Sequence, residues 1–82
     1  MDKQLIKIQS IFEMFILKKI GIEELQSRLE TAIIPENFED TIKELINIIE
    51  EVRFTILEEN QYLHVYDIIN DVQVKHINKP TF

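Results

Sequence analysis

The strongest constraint on the fold lies after Pro35, where Phe38, Ile42, Leu45, Ile49, Val52 and Ile56 recur at spacings of 4, 3, 4, 3 and 4. A strand alternates its faces every second residue, whereas this spacing keeps one apolar seam on one side of an α-helix over about five turns. The segment therefore predicts a long helix over about 36–58, with Glu36, Glu39 and Asp40 complementing the positive end of its dipole. A helix with one apolar seam must bury it against other elements, and the rest of the chain offers the partners. Leu5, Ile8, Ile11, Phe12, Phe15, Ile16 and Ile20 repeat at helical spacing, predicting a helix over about 2–20. Gly21, the only glycine, is placed to stop it in the left-handed conformation. Ile22, Leu25, Leu29 and Ala32 mark a shorter helix over about 22–33, supported by the i,i+4 pair Glu24 and Arg28 and ended at Ile33-Ile34-Pro35.

A fourth helix is predicted over about 61–77, after a break at Glu58-Glu59-Asn60. Its core face reads either as Leu63, Tyr66, Ile69 and Val72 or as Tyr62, Val65, Ile69, Val72 and His76. Asn78-Lys79-Pro80 ends it, leaving Thr81-Phe82 as a tail. A competing reading makes 52–57 and 72–74 short strands on their β-branched and aromatic content, but neither has a hairpin turn signal beside it. The expected architecture is all-α, a small antiparallel bundle of three to four helices forming one domain over 1–82. With 82 residues the chain buries only about 60–65% of the surface of its unfolded form, so the 45% hydrophobic content, including 16 isoleucines, must be used efficiently. One glycine and two prolines are too few for the turns of a small β-sandwich or barrel.

Several function classes are poorly served by this composition. The absence of cysteine removes disulfides, thiolate zinc sites and thiol catalysis, and fits a reducing cytoplasm. Apolar runs such as Phe15-Ile16-Leu17 are far too short for a membrane span or a signal-peptide core. Ser10, Ser27, Thr31, Thr41, Thr55 and Thr81 stand in no nucleophile motif, and no glycine-rich loop is present to cradle phosphate. Glu23-Glu24, Glu50-Glu51 and Glu58-Glu59 are adjacent in sequence, so on a helix their carboxylates diverge by about 100° and do not form an acid–base couple. His64 and Asp67 stand three apart, but a di-metal bundle needs two Glu-x-x-His repeats and two further glutamates. Neither an enzyme, a metal site nor a cofactor is expected.

Charge and helical faces are more informative. The net charge of −6 is unevenly spread: residues 1–20 carry +2, residues 21–60 carry −8, and residues 61–82 balance. An acidic middle repels phosphate backbones and favours a basic protein partner over nucleic acid. With the Ile42–Ile56 seam turned inward, Glu50, Glu51, Phe54, Leu57 and Glu58 fall on or near the opposite side of the long helix. Either neighbouring helices cover Phe54 and Leu57, or the two stand outward as an apolar anchor rimmed by acids, the pattern of a protein-binding hot spot. Asp67 and Asp71, like charges at i,i+4, would extend the acidic surface onto the last helix. An outward Phe54 also suits a homodimeric structural or regulatory adaptor, which is the alternative function.

The string Ile20-Gly21-Ile22-Glu23-Glu24-Leu25, then Leu29, and the acidic helical stretch after Pro35 resemble the small all-helical bacterial immunity proteins, including the colicin-like ones. The similarity spans residues 12–60. It implies a cytoplasmic protein that binds a cognate toxin domain, often a basic nuclease, and occludes its active surface with carboxylates. The resemblance assigns no individual contact, so Glu50, Glu51, Phe54, Leu57, Glu58, Asp67 and Asp71 rest on the helical-face argument.

Overall fold

A computed structural model describes residues 3–77. Four α-helices account for most of them: α1 (Lys3–Ile16), α2 (Ile22–Thr31), α3 (Glu39–Thr55) and α4 (Glu58–Val72). A 3-10 turn over Glu36–Phe38 leads into α3, and a π-helical turn over Gln73–Ile77 continues α4. No strand occurs among the described residues, so the strand reading of 52–57 and 72–74 is excluded in favour of helix and corner. The expected end at Asn78-Lys79-Pro80 and the tail Thr81-Phe82 lie outside the described residues.

The core is drawn from the predicted apolar series, although Leu5, Ile16, Ile22 and Ala32 are only partly buried. Ile8, Ile11, Phe12 and Phe15 come from α1, Leu25 and Leu29 from α2, Ile42, Leu45, Ile49 and Val52 from α3, and Val65 and Ile69 from α4. Fully burying each such side chain contributes about 1.5–3 kcal/mol. Phe38 and Ile56, at the two ends of the α3 seam, are half-buried and pack against this cluster. On α4 the buried pair is Val65 and Ile69, whereas Leu63 is 63% exposed. The face through Tyr62 and Val65 is therefore the inner one, and the face through Leu63 is not.

Successive helices run antiparallel. Gln4, Lys7 and Ile11 of α1 line a groove with Arg28 and Thr31 of α2, placing the start of α1 beside the end of α2. Leu29 and Glu30 lie beside Glu39, Ile42 and Lys43, and Thr41, Glu44 and Ile48 beside Ile68, Asp71 and Lys75. The side chain of Gln26, the only buried polar residue among those described, accepts a 2.7 Å hydrogen bond from the Arg53 guanidinium, tying α2 to α3. The Tyr62 hydroxyl donates to the Ile16 carbonyl at 2.6 Å, fixing the start of α4 to the end of α1. Both chain reversals, Leu17–Gly21 and Ile56–Leu57, consequently sit at the same end of the bundle.

Besides the 3-10 turn that precedes α3 and the π-helical turn that follows α4, three helix ends differ from expectation, each for a local reason. Helix α1 ends at Ile16, before Ile20, and the left-handed residue is Lys18 (φ 61°), not Gly21. The Lys19 amide donates to the Met14 carbonyl at 2.8 Å and the Lys18 amide to the Phe15 carbonyl at 2.9 Å. These bonds make a Schellman motif with lysine where glycine is usual. Gly21 has φ −86° and ψ 179°, extended backbone open to any residue, and serves as the N-cap of α2. Helix α2 stops at Thr31, ahead of 33, because the chain turns extended at Ala32 on its approach to Pro35.

The third difference is the most consequential. Helix α3 ends at Thr55, ahead of 58, and the break falls at Ile56 (ψ 138°) and Leu57 (ψ 139°). Glu58-Glu59-Asn60, expected as the break, is the first turn of α4. The Gln61 side-chain amide donates to the Ile56 carbonyl at 3.0 Å, and the Asn60 amide donates to the Leu57 carbonyl at 2.8 Å. The corner thus closes through side-chain and backbone bonds, without glycine or proline.

Candidate functional site: an acid-rimmed apolar corner

Helix α3 sets the orientation of the candidate site. At about 100° per residue, Phe54 lies roughly 140–180° around the axis from Leu45, Ile49 and Val52. With those three buried, Phe54 is driven outward, and it is 81% exposed. Helices α2 and α4 cover the sides of α3 and leave its back bare, so the arrangement that buried Phe54 and Leu57 does not occur. Glu50 and Glu51, one turn earlier on the same face, are exposed as well.

Leu57 follows as the second of the two residues between α3 and α4, 68% exposed. It holds the N-cap position of α4 without any side-chain cap bond. Serine, aspartate or asparagine at an N-cap typically stabilises a helix by about 1 kcal/mol relative to an aliphatic residue. Leucine here supplies neither a cap nor burial. Glu58 and Glu59 occupy the first turn of α4 and are exposed, so the corner carries two outward apolar side chains between the glutamates of α3 and those of α4. Glu58 reaches this surface from α4, not from α3 as the helical wheel placed it.

Below the corner the backbone is held from two sides. Gln61 bonds the Ile56 carbonyl, and Arg53, one residue before Phe54, reaches Gln26 and stands 3.8 Å from Glu23 on α2. Those contacts tie the last turn of α3 to α2 and to the start of α4.

The structure does not bring Asp67 and Asp71 to this corner. Asp71 lines a groove with Thr41, Glu44 and Ile48 of α3, residues that stand about 9–20 Å back along the helix from Phe54. It is paired with Lys75 at 3.2 Å, which offsets the repulsion expected between the two aspartates. Asp67 is exposed one turn earlier on α4. The continuous acidic face is thereby divided in two, and the exposed acids nearest in sequence to the apolar residues are Glu50, Glu51, Glu58 and Glu59.

Sequence reasoning missed an open cleft of about 560 Å³ between the two chain reversals. Lys18, Lys19, Glu23, Glu58 and Tyr62 contribute to its lining. The only hint in the sequence was the cluster of lysines at the end of α1, which an uninterrupted helix to Ile20 disguised. Among the described residues no group of three or more His, Asp or Glu side chains is placed to hold a metal. No described helix is long and apolar enough to cross a membrane. Compared with known proteins, the chain matches no family model, no curated protein and no solved structure.

Proposed function

We propose that this protein is a non-enzymatic binding protein that docks a basic protein partner on the α3–α4 corner, and that the partner is a toxin domain neutralised by occlusion in the bacterial cytoplasm. The observation that carries the reading is the exposure of Phe54 and Leu57 between Glu50, Glu51 and Glu58. A large aromatic side chain standing free of its own core gains most of its burial in a complex, and a handful of such anchors dominate binding energy. The glutamates steer a basic partner and raise its association rate, while the apolar anchors slow its release.

Charge also weighs against a second copy of the chain as the occupant. A two-fold dimer centred on Phe54 would set the glutamates of each copy against those of the other, a like-charge juxtaposition that costs affinity. The test is capture from a bacterial lysate on the wild-type chain and on Phe54→Ser and Leu57→Ser variants, eluted with rising salt and read by mass spectrometry. A basic protein held by the wild type, released by salt and lost from both variants is the expected result. Retention unchanged by either substitution overturns the corner as the site, and a wild-type homodimer dissociated by Phe54→Ser favours self-assembly instead.

A further inference from the structure

The cleft between the two chain reversals has a lining that the docking corner does not use. Its volume of about 560 Å³ lies within the range of about 300–1,000 Å³ typical of small-molecule sites. The floor is aromatic and aliphatic, from Phe15, Ile20, Ile22 and Tyr62. The Phe15 and Tyr62 rings stand 5.1 Å apart, and the Tyr62 hydroxyl is anchored on the Ile16 carbonyl. Both cations of the rim, Lys18 and Lys19, come from the turn after α1. Both carboxylates come from elsewhere: Glu23 from the first turn of α2 and Glu58 from the first turn of α4.

Lys18 is the second observation. It occupies the left-handed position of the turn, which favours glycine and costs most other residues some steric strain, and its ammonium lies over the Tyr62 ring at 4.8 Å from the centroid. A residue held in a sparsely populated backbone conformation beside a cavity points to a role for its side chain. From these features we infer that the cleft binds a small aromatic zwitterion of the amino-acid type. The ring of the ligand stacks on Tyr62 in place of the Lys18 ammonium, which moves to the carboxylate of the ligand together with Lys19. The ammonium of the ligand faces Glu58 and Glu23. The inference is independent of the docking corner, although Glu58 adjoins both.

Gly21 lines the cleft and is the only glycine in the chain, so its backbone amide gives an isolated reporter signal in a ¹⁵N-labelled sample. The experiment titrates the full chain with L-tryptophan and follows the Gly21 amide by NMR. Parallel titrations use tryptamine, which lacks the carboxylate, indole-3-propionate, which lacks the amine, and N-acetyl-tryptophanamide, which carries neither charge. Saturable shifts of Gly21 with tryptophan, and binding at least fivefold weaker for all three analogues, are expected. Lys18→Gly, which relieves backbone strain and so keeps the fold, is expected to weaken tryptophan at least fivefold as well. No saturable shift at Gly21, unchanged affinity in Lys18→Gly, or equal binding of N-acetyl-tryptophanamide each overturns the inference, the last by showing that the cleft accepts any exposed indole.

Discussion

At the residue scale, the two turn positions read differently from what residue type alone suggests. A lone glycine after a helix is the usual sign of a left-handed stop, yet Gly21 is extended and Lys18 takes the left-handed place. The difference has a measurable consequence. Nothing lies within 4 Å of where a Cβ at Gly21 would project, and the position is an N-cap. Gly21→Ser should therefore stabilise the protein by about 0.5–1 kcal/mol, through a capping bond and a less flexible unfolded chain. Chemical denaturation of the two proteins measures it; a loss of stability of 1 kcal/mol or more would show that the glycine is needed for its conformational freedom. Leu57 is the converse case, an aliphatic residue at an N-cap. Leu57→Ser should raise fold stability by about 1 kcal/mol while weakening partner binding, so that the midpoint of denaturation and the affinity move in opposite directions.

At the element scale, α3 organises the molecule because its seam meets both α2 and α4 while its back stays bare. Ile49 lies at the middle of that seam and is fully buried. Ile49→Ala should cost about 2–5 kcal/mol, a large part of the stability of a domain this small, and lower the urea midpoint with little change in slope. The seam was legible from spacing alone, since only a helix turns Phe38, Ile42, Leu45, Ile49, Val52 and Ile56 to one side. The end of α3 was not. No residue from Thr55 to Asn60 is a helix breaker by type, and the acidic run Glu58-Glu59 looked more like a break than Ile56-Leu57 did. The corner forms where α4 must reverse to bring Tyr62 to the Ile16 carbonyl and Val65 to the core, with Gln61 satisfying the Ile56 carbonyl that the reversal releases.

At the scale of the whole molecule, charge and exposure are what the bundle offers a partner. The surplus of acids lies on α2, α3 and the start of α4, and under the proposed function Glu50, Glu51 and Glu58 are the ones that steer a basic partner to Phe54 and Leu57. Glu50→Lys with Glu51→Lys should lower the association rate with such a partner about tenfold or more at low salt and flatten its dependence on ionic strength, with little effect on folding. Stopped-flow association at several salt concentrations measures it; a rate insensitive to the double substitution would remove steering from the mechanism. Periodicity and composition by themselves determined that this chain is helical, which residues of α1, α2 and α3 turn toward the core, and that α3 carries acids and Phe54 opposite its seam. Those properties follow from the geometry of a single helix, in which the direction of each side chain depends only on its position along the axis. Only the tertiary structure decided that α2 and α4 leave the back of α3 uncovered, that Asp67 and Asp71 stand apart from the corner, and that Lys18 meets Tyr62 in a cleft. Each of these depends on where separate helices end and how they pack, which distant contacts control and local spacing does not encode.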